Sequence, residues 1–170
     1  MKRFIFLILI STLTLESARS HGLDHSFTCD SELSTECHNP EKRSQRTELV
    51  AFAKTFVGTP YKSRQYSSNG FDCSGFVQYV YQHFDIDLDR TSSDMAKQGR
   101  RKSKPNPGDL VFFSSGRRIQ HVGIVTHVDK RGTHIIHSTS SKGIIQECIQ
   151  ESKYWKSRYA FAKDVILSRK

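Results

Sequence analysis

Cys73 stands between Asp72 and Ser74 in GFDCSGFVQYVYQHF, Gly70 to Phe84, immediately ahead of apolar residues that recur at helical spacing. A thiol at the start of a helix faces unpaired backbone N–H groups and the positive end of the helix dipole, and both favour the thiolate. The same amides can receive the oxyanion of a tetrahedral intermediate, so the placement suits acyl transfer twice over. A nucleophile of this kind needs a base within hydrogen-bond reach and a third group to hold that base. In HVGIVTHV, alternation sets His121, Gly123, Val125 and His127 on one strand face and Val122, Ile124, Thr126 and Val128 on the other. His121 opens its strand after a loop, and Gly123 leaves space for a neighbouring helix or ligand. His137 ends the next strand, before STSSKG. A hairpin between about Val128 and Thr133 would bring the two histidines onto adjacent strands, where one could orient the other. Surface or hydrogen-bonded histidines satisfy the same spacing, so both readings stay open at this point.

The elements that must position these residues follow in chain order. RTELVAFAKTFVGTPY places Leu49, Val50, Phe52, Ala53, Phe56 and Val57 on one helical stripe, closed by Gly58 and Pro60. A second helix begins at or next to Cys73, with Asp72 as N-cap and Phe76, Val77, Val80, Tyr81 and Phe84 as its apolar face. RTSSDMAKQGR offers a third, short helix capped by Thr91 or Ser92 and closed by KPNPG. From Asp109 the period changes. DLVFF, HVGIVTHV, THIIHST and GIIQECI are short, rich in β-branched and aromatic residues, and read as consecutive antiparallel strands; Tyr159 to Leu167 fits helix and strand equally. Helices first and a meander afterwards predict an α+β domain from residue 46 to 170, preceded by a polar arm over 21–45.

MKRFIFLILI sets Lys2 and Arg3 ahead of an apolar run, and Ala18 and Ser20 supply small residues for cleavage, so residues 1–20 read as a signal peptide. The run yields to Ser11 and Thr12 well short of the roughly 20 apolar residues a membrane span needs. Export, to a periplasm or the exterior, is therefore expected. The formal charge is +9, and removing Lys2, Arg3, Arg19 and Glu16 with the leader leaves +7. Such a surface favours anionic partners, including envelope polymers. Basic residues cluster only in GRRKSK, Gly99 to Lys104, without an aromatic stacking module, so nucleic acid is not expected; a solvated basic face explains the cluster equally well. Cys29 and Cys37, close together in the polar arm, are expected to form a local disulfide. Cys148 reads as a small buried residue, with Ile144, Gln146 and Cys148 on one strand face and Ile145, Glu147 and Ile149 on the other. His83, His127 and His134 read as structural or surface residues. No C-x-x-C spacing is present to hold zinc, so no metal site is expected.

GTPY, DCSGFVQYVY, DRTSSDMAKQGR, PGDLVFF, HVGIV, IIHSTSSKGI and YWKSRYAFAKDV occur in that order over about 120 residues from Thr47. In these segments the chain resembles the NlpC/P60 family of cell-wall cysteine peptidases. The resemblance implies a papain-like fold, the nucleophilic helix packed on an antiparallel sheet that carries the histidines. It also implies Cys73 as nucleophile, His121 as general base and acid, His137 as the residue that orients it, and Tyr61 as an oxyanion ligand. Asp72 and Ser74 would line the substrate groove. The implied reaction is hydrolysis of amide bonds in peptidoglycan stem peptides, most often between γ-D-glutamyl and a diamino acid, without metal or organic cofactor. An amidase or acyltransferase of the same fold, or an inactive wall-binding module, remains the alternative; an immunity or inhibitor partner leaves no trace in the sequence. Arg64 and Gln65 stand where relatives carry glycines, which predicts a reshaped loop beside the groove.

Overall fold

A computed structural model of the chain describes residues 40–166. The signal-peptide segment, the arm as far as residue 39 and the Cys29–Cys37 pairing lie outside the described residues. Helix α1 runs over Pro40–Lys54, so residues 40–45, expected in the arm, are its first turns. Proline at the first helical position forfeits no hydrogen bond, and Glu41 suits the positive end of the dipole. This outer turn is polar, which is why the apolar stripe reveals the helix only from Leu49. Leu49 and Ala53 are fully buried, whereas Val57, expected on the stripe, lies past the helix end and is half exposed.

Helix α2 spans Cys73–Gln82. Its buried face is Phe76, Val77, Val80 and Tyr81, each contributing about 1.5–3 kcal/mol on burial. Phe56 of the α1 turn meets Phe71, Phe76 and Tyr79 edge-on, with ring centroids 5.6, 6.2 and 5.5 Å away. Before α2, a two-stranded ribbon pairs β1 (Tyr66–Ser67) with β2 (Gly70–Phe71). A short helix α3 covers Ser92–Met95, with Thr91 as its N-cap.

The remaining strands are β3 (Arg100–Lys102), β4 (Leu110–Ser115), β5 (Arg118–Asp129), β6 (Gly132–Thr139), β7 (Gly143–Cys148) and β8 (Tyr159–Asp164). They form one antiparallel sheet in the order β3-β8-β4-β5-β6-β7. The ambiguous segment from Tyr159 is strand β8, which follows helix α4 (Lys153–Arg158) and returns to pair with β4. β3, within the basic cluster, was not expected as a strand; it pairs with β8, and Arg101 lies over the Phe161 ring at 4.5 Å.

Both faces of the sheet are packed. Leu110, Phe112, Val122, Ile124, Ile136 and Ile144 face the helices, and Val111, Phe113, Val125 and Ile135 face the opposite layer, closed by Ile149, Ala162 and Trp155. This two-sided burial explains why β4 reads as a continuous apolar run. Arg46 of α1 fastens the layers, bonding Asp109 at 2.8 Å and Asp164 at 2.7 Å, both carboxylates fully buried.

One predicted face is corrected. The β5–β6 register shifts between Val125 and His127, so that Val125 pairs with Ile135 but His127 pairs with His134. The bulge reverses the alternation beyond it. His127 therefore lies on the face opposite His121, with His134.

A candidate active site at the start of helix α2

Asp72 caps α2 from an extended backbone, its Oδ1 accepting the Gly75 N–H at 2.6 Å. Cys73 is thereby fixed in the first turn. A Cβ on Gly75 would collide with the Gln65 carbonyl, so glycine allows the loop before β1 to lie on the helix start. The backbone amides at Cys73, Ser74 and Val122, the last directly after His121, favour the ionised form of the Cys73 sulfur. Those contacts lower the thiol pKa, yet burial and the neighbouring Asp72 charge outweigh them and push it above its ordinary value. The helix start pulls the thiol toward its ionised form as expected, and burial opposes that pull.

Cys73 and His121 line the same cavity of about 650 Å³, together with Tyr61, Phe113, Glu147 and Trp155. His121 Nε2 lies 2.9 Å from His137 Nδ1, and His137 Nε2 lies 2.8 Å from Glu147 Oε1. His137 is completely buried. Its Cβ packs against Gly123, where an added Cβ would stand 3.2 Å from it. The space beside Gly123 thus belongs to His137 rather than to a helix or ligand.

The chain of contacts settles the tautomers. Glu147 is held below the usual carboxylate range, first by its hydrogen bond to His137, with a further contribution from Trp155. As an acceptor it takes the N–H of His137 Nε2. His137 Nδ1 is then an acceptor for the N–H of His121 Nε2, which leaves the His121 Nδ1 lone pair as the base. Burial, with the adjacent His137, lowers the His121 pKa to about 3, so the ring is neutral at pH 7. Both shifts favour the uncharged forms of the two side chains that share the cavity.

Two members of this arrangement escaped sequence reasoning. Glu147 lies on β7, where His137 pairs with Ile145, so Glu147 is its diagonal neighbour. The alternation in GIIQECI already puts Glu147 beside Ile145; only the β6–β7 register was lacking. Trp155 of α4 stacks on His121 at 4.5 Å and 24°, and its Nε1–H donates to Glu147 Oε1 at 2.8 Å. No local signal distinguishes this tryptophan from an ordinary core residue.

Asp72 and Ser74, expected on the groove, are not among the cavity's lining residues. Both are bound by Arg90: Nη2 to Asp72 Oδ2 at 2.6 Å, and Nη1 to Asp72 Oδ1 at 3.1 Å and Ser74 Oγ at 3.0 Å. Tyr61 does line the cavity, and burial together with the Cys73 and Asp72 charges raises its pKa, so its hydroxyl stays a donor. Arg64 and Gln65 are exposed and away from the lining. Arg64 adopts φ 59°, a conformation that glycine takes without strain. Cys148 is buried, its Sγ 3.6 Å from the Arg131 carbonyl.

Comparison with known proteins agrees with this architecture. Residues 58–164 match the model of the NlpC/P60 family. A relative in Escherichia coli K12, named murein DD-endopeptidase MepS/murein LD-carboxypeptidase, is 34% identical over 112 residues, 64% of this chain and 57% of that protein. The gamma-DL-glutamyl hydrolase of Bacillus subtilis 168 is 33% identical over 120 residues, 69% of this chain and 29% of the relative. The chain thus spans less than two-thirds of the length of either. Among solved structures, an NlpC/P60 family protein from Bacillus cereus ATCC 10987 superposes with TM-score 0.65 at 26% identity, covering 71% of this chain and 40% of that one. The NlpC/P60 domain of the peptidoglycan hydrolase SagA gives TM-score 0.59 at 29% identity, covering 70% of this chain and 97% of that domain. With the family's model matched along most of the described residues and its fold reproduced, the chain belongs to the NlpC/P60 family.

Proposed function

We propose that the protein is an exported cysteine endopeptidase that hydrolyses an amide bond in peptidoglycan stem peptides, the bond between γ-D-glutamyl and a diamino acid being the preferred target. The observation that carries this reading is the line Glu147–His137–His121, which ends in a cavity that also holds Cys73. The names of the relatives, a murein endopeptidase and a gamma-DL-glutamyl hydrolase, support the substrate class. Export rests on the basic, apolar and small-residue order of residues 1–20. No helix among the described residues is long and apolar enough to cross a membrane.

In the reaction, His121 Nδ1 takes the thiol proton as Cys73 sulfur attacks the carbonyl carbon, so that ionisation and bond formation occur together. The oxyanion is received by the Tyr61 hydroxyl and the amide at the start of α2. Collapse breaks the C–N bond, and the imidazolium returns its proton to the leaving amine. Water, deprotonated by His121, then cleaves the thioester and restores the thiol. Incubating purified sacculi and defined muropeptides with wild-type protein and Cys73→Ala, followed by mass spectrometry, tests the reading. Release of products with new amino termini on the diamino acid by wild type alone is expected. Wild-type turnover by the variant would refute the mechanism, and cleavage elsewhere would refute the assigned bond.

A further inference from the structure

The bulge in β5 creates a second cluster, on the sheet face away from the His121 side. His127 and His134 are direct cross-strand partners, and their rings stack at 4.0 Å and 11°. Nε2 of His134 lies 3.0 Å from Asp129 Oδ1, and Nε2 of His127 lies 3.8 Å from Asp129 Oδ2. The carboxylate is itself held by the hairpin turn, where Oδ1 accepts the N–H groups of Arg131 at 2.9 Å and Gly132 at 3.2 Å. The ligand atoms of the three residues all lie within 4.8 Å of one another.

We propose that His127, Asp129 and His134 form a binding site for a divalent late transition-metal ion of the Zn²⁺ type. Two imidazoles and one carboxylate are the donors such ions select, and hard cations such as Mg²⁺ and Ca²⁺ require more oxygen than the site offers. Bond lengths near 2.0–2.2 Å place tetrahedral ligand atoms about 3.3 Å apart, so atoms now within 4.8 Å of one another must close by up to about 1.5 Å. His127 and Asp129 can supply that movement because their side chains are 49% and 36% exposed. The tautomer of His127 is already suitable. Thr126 Oγ1 donates to the His134 carbonyl at 3.2 Å and so accepts from His127 Nδ1 at 3.3 Å, leaving the Nε2 lone pair facing Asp129. Arg131 Nε stands 3.5 Å from Asp129 Oδ2, but its exposed side chain has Glu151 as another partner at 3.8 Å. Metal bound at His134 Nε2 would shift that ring's proton to Nδ1 and clamp the end of the β5–β6 hairpin. Six residues of extended strand separate His127 from His121, roughly 20 Å, so this site is independent of the thiol.

Titrating Zn²⁺ into the full chain carrying Cys73→Ser, by calorimetry, tests the proposal, with Co²⁺ visible absorption as a second probe of coordination. The expected result is one equivalent bound and a rise in melting temperature. His127→Gln, and separately Asp129→Asn, which keeps the turn's acceptor, should each weaken binding at least about tenfold with an unchanged circular dichroism spectrum. Absence of stoichiometric binding, or equal affinity in parent and both variants, overturns it; the latter would assign the ion to other groups.

Discussion

Glu147 accepts from both His137 and Trp155, and no other residue so directly decides which nitrogen of His121 is the base. Glu147→Gln keeps the shape but can present an N–H toward His137 Nε2, which permits the opposite tautomer. The expected outcome is a kcat lower by roughly 10- to 100-fold with KM little changed, within the range for displaced acid–base groups; an unaltered kcat would remove Glu147 from the mechanism. The thiol supports a second expectation. Burial raises the Cys73 pKa and lowers that of His121 to about 3, so both shifts favour the uncharged pair. Inactivation by iodoacetamide follows the thiolate, and its rate should climb through and beyond about pH 8.5, where an ordinary thiol titrates. A rate plateau reached below pH 6 would reveal a preformed thiolate–imidazolium pair and contradict this account.

At the scale of elements, α1 is joined to the sheet through Arg46, whose two partner carboxylates are wholly buried. Removing one member of a buried ionic cluster costs about 3–5 kcal/mol, so Arg46→Met should lower stability by that amount in urea denaturation at pH 8. The pH dependence has a definite sign. Burial raises Asp109 to about 6 in the folded state, above its ordinary value of 3.8. The folded form therefore holds a proton that the unfolded form gives up, and stability falls as pH rises between those values. Without Arg46 the carboxylate is harder still to ionise, so the deficit should shrink on acidification to pH 5. A pH-independent deficit would show that Arg46 acts by packing alone. These elements were unequally legible. The apolar stripes of α2 and β4 announce themselves because burial repeats along them. The first turns of α1 do not, since their outer face is polar, and the fate of residues 159–164 depended on pairing with β4, a contact remote in sequence. The histidines behave similarly. His121 and His137 flank a hairpin visible in the turn residues, while the bulge that turns His127 toward His134 and Asp129 leaves no mark in the H-x-x-x-H spacing by which metal sites are usually sought.

Over the whole molecule, charge and cavity act together. The chain carries +9, and Lys142 and Arg158 stand on the walls of the cavity that contains Cys73. The carboxylate of Glu147 in that cavity is engaged with His137 and Trp155, which leaves the positive side chains to meet an incoming substrate. Arg158 is oriented for this by its stack on Tyr154 at 3.7 Å and its bond to the Tyr154 carbonyl at 3.2 Å. Stem peptides rich in free carboxylates should therefore be drawn in and held. Attraction between exposed charges is screened over about 10 Å at 0.1 M salt and 3 Å at 1 M, so kcat/KM for acidic muropeptides should fall as salt is raised, through KM rather than kcat. Lys142→Ala should raise KM several-fold, flatten the salt dependence, and leave amidated muropeptides nearly unaffected. Steady-state kinetics on the paired acidic and amidated substrates at two ionic strengths separates the contributions. Equal loss on both substrates would mean that Lys142 shapes the loop between β6 and β7 rather than reading charge.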